Sequence, residues 1–399
     1  MIWTFKRLGD LSKVITKGTT PTSIGFDFAE KGIPFLRVEN IRNGTVNYEK
    51  DTLFVDERTH KALERSQIQT GDILVSIAGT IGRSGVVPEA APALNCNQAV
   101  AILRTNGALF GPFVRHWIES SDAQKQMRAA TVTGTISNLS LTQLGNLQMP
   151  VPPMAEQRRI AEVLDRAEAL RAKRRAALAQ LDTLTQSIFL DLFGDPAMNP
   201  KGWPLRALGE LAEKMSDGPF GSNLKTSHYT ETGVRVIRLK NIGLGEFIDD
   251  DKAYISERHF AKIRKHECRP GDVLVGTLGD PNLRACIQPD WLNLALNKAD
   301  CVQYRPNQQL VIASYVCTLL NQPATEKMAQ DLILGQTRLR ISMGRLRSLR
   351  VPVPTIMVQR DFERQVAEVE RLKMTHRDSL DALDSLFGVL QDRAFRGDL

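Results

Sequence analysis

An internal repeat constrains the fold of this chain more than any other feature of its sequence. Residues 3–11 (WTFKRLGDL) recur as residues 203–211 (WPLRALGEL), and residues 71–79 (GDILVSIAG) recur as residues 271–279 (GDVLVGTLG). Because a period of about 200 residues is far longer than the repeat of a solenoid, the duplication predicts two similar domains.

Weaker matches keep the same order along the chain, at offsets of 200 to 202 residues. They are LRVENIRNG at 36–44 with IRLKNIGLG at 237–245, FVDER at 54–58 with YISER at 254–258, Asn97-Gln98-Ala99 with Asn297-Lys298-Ala299, and PVP at 150–152 with PVP at 352–354. A single order across the whole repeat makes chance a poor explanation of these matches.

Each copy begins with roughly 150 residues of mixed pattern. Short apolar runs bounded by Gly, Asn and Thr predict strands at 36–38, 73–77 and 99–103. A helical stretch is expected near 113–128 in the first copy and near 310–332 in the second. Prolines then end the mixed region of each copy. These patterns predict a mixed α/β fold.

Beyond the prolines, each copy continues as one long helix. Apolar residues recur at alternating spacings of three and four from Ile160 to Leu192 and from Phe362 to Ala394, which is typical of a coiled-coil seam. About 35 residues at ~1.5 Å each give helices on the order of 50 Å long. We therefore expect globular domains at 1–152 and 195–354, long helices at 153–194 and 355–399, and antiparallel coiled-coil pairing of the helices.

Each seam becomes polar near its midpoint, at Arg174 in the first helix and at His376 in the second. In an antiparallel pair the two midpoints meet, and a polar layer there would set the register of the helices. The alternative is that both side chains extend to solvent beside acidic neighbours such as Asp165, Glu168 or Asp378. The sequence favours neither.

Composition narrows the class of protein. Apolar residues make up 42% of the chain and charged residues 24%, which excludes wholesale disorder. No apolar run reaches the roughly 18 residues of a spanning helix, and the N-terminus lacks the apolar core of a secretory signal. We therefore expect a cytoplasmic protein with no membrane segment. Its five cysteines include no Cys-x-x-Cys pair and are expected to be reduced and buried.

The positive charge of the chain is expected on its globular halves. The net charge is +7, whereas the two helical stretches contain slightly more acidic than basic residues. An arginine run follows Asp331 without a further acidic residue and consists of Arg338, Arg340, Arg345, Arg347 and Arg350. A guanidinium group can bind phosphate oxygens or the edge of guanine, although a solvated surface is the commoner role of such a run.

Three glycine-containing segments have the composition of ligand-binding loops. Residues 16–21 (TKGTTP) and 216–223 (SDGPFGSN) occupy equivalent positions in the two copies, and residues 79–85 (GTIGRSG) follow a predicted strand. Glycine admits a close approach of the backbone to a ligand, and the polar side chains supply hydrogen-bond donors. Simple turn formation is the alternative for each segment. The third segment lacks the Gly-Lys-Ser/Thr ending of a nucleotide-binding loop.

The motifs of catalysis and metal binding are missing from the sequence. It contains no Walker motif, no G-x-G-x-x-G opening a βαβ unit, no HExxH pair and no His/Cys metal spacing. Asp250-Asp251-Lys252 has the D-x-K of a nuclease but no flanking buried strand, so we interpret it as a surface turn. The Asn/Asp-Pro-Pro-aromatic motif of an adenine methyltransferase is also missing. We expect no catalytic residue, metal or cofactor on this chain.

Several segments along the chain are similar to one protein family. They are the start WTFKRLGDL, the strands GDILVS and GDVLVG, the junction MPVPPMAEQRRIAEVL, the helix end SIFLDLFGDP and the C-terminal DRAFRGDL. Together they resemble the specificity subunit of type I restriction–modification systems, and the resemblance covers essentially the entire chain.

This resemblance implies a DNA-recognition role in phage defence. Each globular half would be a target recognition domain that binds one half of a split, asymmetric site in double-stranded DNA. The long helices would space the domains and dock two modification subunits, which bind S-adenosylmethionine and methylate adenine. Two ATP-driven restriction subunits would join for cleavage. The specificity subunit itself catalyses nothing in this family.

Polar side chains of the loops and of the arginine run are the predicted DNA contacts. In the first domain they are Lys17, Thr19, Thr20, Arg37, Asn40, Thr80, Arg83, Thr135, Ser137 and Asn138. In the second domain they are Ser216, Ser222, Asn223, Lys225, Arg238, Lys240, Thr277, Lys298, Arg338 and Arg340. Arg37 and Asn40 recur as Arg238 and Asn241, so a structural role is the alternative for these positions.

Three other functions are compatible with the sequence. One is a DNA-recognition module of another phage-defence complex. The second is a coiled-coil scaffold whose globular halves bind protein, which a steep salt dependence of DNA binding would exclude. The third is a nuclease with its own carboxylates, which would require metal-dependent cleavage that is lost on Asp250→Ala.

Overall fold

The computed structural model describes residues 3–42, 44–131, 138–279, 281–335 and 339–399. The chain forms two compact units, one comprising Met1–Arg175 with Asp378–Leu399 and the other comprising Ala176–Arg377. Each unit therefore combines one mixed α/β domain with part of both long helices. None of the helices in the described ranges is long and apolar enough to cross a lipid bilayer.

The domain of the first unit contains two four-stranded sheets. Its strands are β1 Thr4–Arg7, β2 Ser12–Lys17, β3 Ile33–Leu36, β4 Ile41–Arg42, β5 Thr45–Val46, β6 Leu53–Val55, β7 Gln67–Ile68, β8 Ile73–Ser76, β9 Ser84–Val86, β10 Leu94–Cys96, β11 Val100–Thr105 and β12 Gln148–Val151. Its helices are α1 Glu57–Ala62, α2 Gly111–Ile118, α3 Ser121–Ala130, α4 Leu141–Gly145 and the start of α5, Met154–Phe193.

The two sheets of this unit have the strand orders β6-β3-β10-β7 and β2-β11-β8-β9. Strands β3 and β10 are parallel, whereas β11 is antiparallel to both β2 and β8. Strand β8 (Ile-Leu-Val-Ser) is buried on both faces, and the side chains of α2, including Phe113 and Trp117, pack into the same core. Full burial of such a side chain stabilises a fold by about 1.5–3 kcal/mol.

The domain of the second unit repeats this arrangement. Its strands are β13 Leu205–Ala207, β14 Ala212–Asp217, β15 Tyr229–Thr230, β16 Val234–Ile237, β17 Tyr254–Ile255, β18 Glu267–Cys268, β19 Val273–Gly276, β20 Arg284–Ile287, β21 Ala295–Asn297, β22 Cys301–Pro306, β23 Ile333–Leu334, β24 Arg340–Ile341 and β25 Arg350–Pro352. Its helices are α6 Glu257–Lys262, α7 Ala313–Leu320, α8 Pro323–Met328, α9 Met343–Ser348 and the start of α10, Ile356–Arg396. The sheets have the orders β14-β22-β19-β20 and β15-β17-β16-β21-β18.

The helix expected near 113–128 is two helices, α2 and α3. Ser120 interrupts it with an extended backbone, and its side chain accepts a hydrogen bond from Ala123 N at 3.3 Å as the N-cap of α3. The helix expected near 310–332 is likewise divided into α7 and α8. Pro323 occupies the first position of α8, and a residue that precedes proline is driven into extended conformation.

The repeat contains one insertion that sequence matching placed incorrectly. Asn97 N donates to Leu36 O at 3.0 Å, and its structural counterpart Lys298 N donates to Ile237 O at 2.9 Å. Lys298, not Asn297, therefore corresponds to Asn97. The extra residue lies between β19 and β20, where Val273 pairs with Ile287, whereas Ile73 pairs with Val86 in the first copy. Sequence matching missed this one-residue shift because it aligned Asn97 with Asn297, which are identical.

The long helices pair antiparallel within the first unit. Arg159, near the start of α5, donates to Leu399 O at 2.9 Å. Further along α5, Arg171 forms an ion pair with Asp384, and its guanidinium carbon lies 4.3 Å from the centroid of the Phe387 ring. Advancing along α5 thus corresponds to moving backwards along α10.

The same antiparallel pairing holds within the second unit. Lys373 Nζ lies 3.1 Å from Asp182 Oδ1, and the ring of Phe362 lies 5.7 Å from that of Phe189 and 5.2 Å from that of Phe193. The predicted mixed α/β fold with paired long helices is therefore confirmed. Arg174 belongs to the first unit and His376 to the second, and a polar layer formed by these two residues stays a prediction.

Candidate nucleic-acid interface

In the first unit, the glycine-containing segment after β2 lies against the turn that joins β10 to β11. Gly18 N donates to Val100 O at 3.1 Å, and Thr19 N donates to Cys96 O at 3.1 Å. A Cβ atom on Gly18 would collide with the carbonyl group of Cys96. Glycine is therefore required here because two backbone segments are in direct contact.

Two further segments meet the same turn. Asn97 N donates to Leu36 O at 3.0 Å, which attaches the end of β3, and Ile77 N donates to Ala99 O at 2.9 Å, which attaches the end of β8. Leu139 N in turn donates to Ile77 O at 2.8 Å. Residues 17–20, 36–40, 77–80, 97–99 and 138–139 are thus joined by backbone hydrogen bonds at one end of the unit, which we call the loop edge.

The loop edge of the second unit is built in the same way. A Cβ atom on Gly218 would collide with the backbone of Lys298. Thr277 N donates to Asp300 O at 3.1 Å, and Ile341 N donates to Thr277 O at 3.0 Å. Residues 217–220, 237–241, 277–279, 298–300 and 340–341 form this second loop edge.

The structure brings many of the predicted contact residues to the two loop edges, with differing exposure. In the first unit Lys17, Thr80, Arg83 and Asn138 are exposed, and Thr19, Thr20 and Arg37 are half-buried. In the second unit Ser222, Asn223, Lys225 and Lys240 are exposed, and Ser216, Arg238, Lys298 and Arg340 are half-buried. Thr135, Ser137 and Arg338 lie outside the described residues.

Two predicted contact residues are buried. Asn40 is 3% exposed, and its Oδ1 accepts a hydrogen bond from Arg37 N at 2.8 Å. Thr277 is 1% exposed, and its hydroxyl donates to Asp300 O at 3.1 Å. Buried polar groups that are already satisfied gain little from a ligand, which favours the structural alternative for Asn40. Contacts of Asn40 and Thr277 with DNA stay predictions.

The acidic turn after residue 248 is neutralised by neighbouring basic residues. Asp249 lies 2.8 Å from Arg235 Nη2 and 3.0 Å from Lys252 Nζ, and Asp251 forms an ion pair with Arg238. Asp249 and Asp251 therefore balance neighbouring cations. Because Asp251 neutralises Arg238, Arg238 is a weaker candidate for a phosphate contact than an arginine without an acidic neighbour.

At the second loop edge, Arg340 is held by two other residues. Its Nε lies 3.0 Å from Asp300 Oδ1, and 40% of its side chain is exposed. Its guanidinium carbon lies 5.1 Å from the centroid of the Phe220 ring, within the range of a cation–π contact. Lys298 Nζ similarly lies 5.9 Å from the centroid of the Tyr229 ring. Basic groups and aromatic rings are thus combined at this edge.

Comparison with known proteins gives one family. The model of the type I restriction modification DNA specificity domain matches residues 2–180. The MjaVIII specificity subunit of Methanocaldococcus jannaschii is 22% identical over 389 residues, covering 93% of this chain and 85% of that protein. The EcoBI specificity subunit of Escherichia coli is 30% identical over 172 residues, covering 42% of this chain and 36% of that protein. Residues 2–180 therefore contain a type I restriction modification DNA specificity domain, and specificity subunits are similar to this chain over most of its length.

Solved structures agree with this assignment at the level of the fold. A chain from a study of the assembly and conformational transition of the type I R-M system covers 100% of this chain with 98% of its own length, at 20% identity and a TM-score of 0.64. The S subunit of a type I restriction–modification system from M. genitalium covers 99% with 96% of its own length, at 16% identity and a TM-score of 0.55. The resemblance inferred from the sequence is confirmed.

One ion pair recurs in both domains of the chain and was missed in the sequence. Arg104 binds both carboxylate oxygens of Asp72 at 2.7 Å, and Arg305 binds both oxygens of Asp272 at 2.8 Å. Hydrogen bonding to Asp72 raises the pKa of Arg104. The Gly-Asp that opens each matching strand was visible in the repeat, and its identity in both copies indicates a structural role common to the two domains.

A charged cluster, buried only on its α2 side, joins α2 to α5 within the first unit. His116 Nε2 lies 2.7 Å from Asp165 Oδ1, and Arg115 Nη2 lies 2.5 Å from Glu168 Oε2. His116, Asp165 and Glu168 form the one group among the described residues with the arrangement of three metal ligands. Because the guanidinium of Arg115 already neutralises these carboxylates, the donor set does not fit a metal ion.

Proposed function

We propose that this chain is the non-catalytic DNA-recognition subunit of a type I restriction–modification complex, with each domain binding one half of a bipartite, asymmetric site. The observation that carries the proposal is the loop edge. Both domains build it with three equivalent backbone hydrogen bonds and a glycine in close contact with the same turn, yet they present different side chains on it. A common framework with different contact chemistry is what two domains require to bind two different half-sites.

Charge and side-chain chemistry support DNA as the ligand. The net charge of +7 favours binding to the phosphates of DNA. Phosphate contacts contribute affinity but do not depend on the base sequence. Lys17 at the first loop edge, Arg83 close to it in sequence, and Lys225 and Lys240 at or near the second are exposed and are candidates for these contacts. Sequence choice then comes from the side chains that reach base edges in the major groove.

The long helices support docking of protein partners. Leu170, Leu386 and Val389 of the first unit and Leu184 and Leu372 of the second are exposed on α5 or α10. Exposed apolar side chains along a helix are typical of surfaces that other proteins cover. We propose two modification subunits as these partners, joined by two restriction subunits in the complete enzyme, in the cytoplasm.

Cofactors belong to the partners in this proposal. The resemblance assigns S-adenosylmethionine to the modification subunits and ATP to the restriction subunits, and none to this chain. The chain's own contribution is to select the site and to hold the modification subunits on it.

Co-expression with the modification subunit, followed by single-molecule sequencing of the host methylome, tests the proposal. We expect a split adenine-methylated motif that disappears when the gene for this chain is deleted. A stable complex that produces no new motif would contradict it. DNA affinity of the purified complex should also fall steeply with salt, whereas the scaffold alternative predicts affinity for DNA that is negligible at every salt concentration.

A further inference from the structure

Three equivalent positions on the two loop edges carry different side chains. Their equivalence follows from the backbone. Ala78 forms a β-bridge with Asn138 and Leu278 with Arg340, while Ile77 N donates to Ala99 O and Thr277 N donates to Asp300 O. Thr20 and Phe220 each precede a short 3-10 helix, two residues after Gly18 and Gly218. The first copy has Thr20, Ala99 and Asn138 at these positions, and the second has Phe220, Asp300 and Arg340.

The second copy surrounds its arginine with groups that fix a guanidinium. Asp300 Oδ1 forms an ion pair with Arg340 Nε at 3.0 Å, without hydrogen-bond geometry, and the guanidinium carbon of Arg340 lies 5.1 Å from the centroid of the Phe220 ring. Base recognition by arginine can use the two terminal nitrogens, which form a fork that matches O6 and N7 of guanine. A carboxylate on Nε and a ring on one face thus orient that fork.

Asp300 adopts a left-handed backbone conformation. Its φ is 68°, in a region that aspartate and asparagine enter more readily than other non-glycine residues. Ala99, at the equivalent place, is not among the residues with positive φ. The backbone at the position that supplies the carboxylate therefore differs between the two domains.

The Arg340–Asp300 pair differs from the structural ion pairs of the same fold. Arg104 and Arg305 grip Asp72 and Asp272 with two nitrogens each, recur in both copies, and have side chains only 24% and 19% exposed. Arg340 is 40% exposed, and its carboxylate partner occurs only in the copy that has the arginine. The Arg340–Asp300 pair is thus more exposed than the repeated pairs and specific to the second domain.

We infer that Arg340 recognises a guanine in the DNA half-site bound by the second domain, with Asp300 and Phe220 as positioning residues. This inference rests on the proposed function. Asn138 is the exposed residue at the equivalent position of the first loop edge, and a carboxamide matches N6 and N7 of adenine. The first domain therefore recognises an adenine at the corresponding position of its half-site.

The test uses the complex of the full chain with its modification subunits, in wild-type form and with Arg340→Ala, Asp300→Asn or Asn138→Ala. Asparagine tolerates the left-handed backbone, so Asp300→Asn removes the charge without changing the loop. Arg350→Ala is the matched control, because Arg350 is an exposed arginine of the same run that lies on β25, outside the loop edge. Its guanidinium donates to Leu205 O on β13 at 3.0 Å.

Methylome sequencing first gives the wild-type motif. Competition binding then compares the affinity of the complex for oligonucleotides that carry each of the four bases at every position of that motif. Arg340→Ala should lower discrimination for one guanine of the second half-site by roughly 5- to 140-fold, equivalent to about 1–3 kcal/mol at about 1.4 kcal/mol per tenfold. Asp300→Asn should weaken preference at that same base, and Asn138→Ala should relax one adenine of the first half-site. Arg350→Ala should leave base preference unchanged in both half-sites.

The possible failures are distinguishable. Two results would overturn the inference and leave the proposed function intact. One is a wild-type bipartite motif that has no guanine in its second half. The other is a guanine there that the Arg340→Ala chain still recognises as strictly as the wild type. An Asp300→Asn chain with unchanged base preference would overturn the positioning role. Absence of any bipartite motif for the wild-type complex would overturn the proposed function and this inference together.

Discussion

The aromatic cluster of the second unit allows a direct test of the antiparallel helix pairing. Phe362, near the start of α10, is 0% exposed, and its ring lies 5.7 Å from Phe189 and 5.2 Å from Phe193, near the end of α5. Truncating a buried phenylalanine to alanine costs about 3–5 kcal/mol because the removed ring leaves a cavity. That is a large part of the 5–15 kcal/mol that typically stabilises a domain.

Hydrogen exchange followed by mass spectrometry on the full chain measures this loss locally. In the Phe362→Ala variant, peptides that contain Phe189 should lose protection by roughly 10²-fold or more, although they are far from residue 362 in sequence. Leu372→Ala is the matched control on the same helix, since Leu372 is 45% exposed and its truncation should change stability by less than about 0.5 kcal/mol.

A double-mutant cycle separates direct contact from general destabilisation. Phe189→Ala and Phe362→Ala should couple by about 0.5–1.5 kcal/mol, the range measured for aromatic pairs. Unchanged protection around Phe189 in the Phe362→Ala chain, together with strictly additive effects of the two substitutions, would refute the antiparallel pairing of these helix segments.

Three further predictions concern the loop edge, acid stability and the thiols. Gly218→Ala should weaken DNA binding by the second domain in gel-shift assays, because the new Cβ would meet the backbone of Lys298, whereas Gly344→Ala adds a Cβ in open space on α9 and should not. Burial lowers the pKa of His266 in the folded chain. As the pH falls below about 6.5, His266 is therefore protonated in the unfolded chain before it is protonated in the folded one. The free energy of unfolding of the second unit should decrease on acidification through that pH, and His266→Gln should flatten the dependence measured by urea titration. Burial raises the pKa of the Cys286 thiol to about 12, and all five cysteines are buried. Ellman titration at pH 8 should therefore detect thiols only after denaturation, and rapid reaction of the native chain would contradict this.

The architecture was predictable because it depends on patterns that are local or repeated. The 200-residue repeat implied two similar domains, and the three/four spacing from Ile160 and from Phe362 implied two long helices. In the structure, α5 begins at Met154 and α10 at Ile356, each one residue after the start of the predicted helical segment. Antiparallel pairing followed from the equivalence of the two seams.

The helix breaks and the buried asparagine show where local patterns were insufficient. The apolar spacing near 113–128 continues through Ser120, whose N-cap hydrogen bond starts a new helix. Asn40 was chosen as a contact by its residue type, but its carboxamide closes the turn after β3. Capping and turn formation use the same polar side chains that ligand binding uses, so composition alone does not distinguish these roles.

The charged cluster of the first unit could not be derived from sequence because it depends on packing between distant segments. Arg115 and His116 meet Asp165 and Glu168 about fifty residues later in the chain. The second copy has Cys317 and Thr318 where the first has Arg115 and His116, so the repeat gave no signal. Likewise, the pairing of Arg340 with Asp300 became visible only when the one-residue insertion was placed.

The central claim is that each domain selects its own half of a bipartite DNA site. Replacing residues 1–152 with the corresponding domain of a specificity subunit that has a different motif tests it most directly, with methylome sequencing of the host as the readout. The account predicts a hybrid motif in which one half is exchanged and the other half is kept. A motif that changes in both halves, or does not change at all, would contradict it.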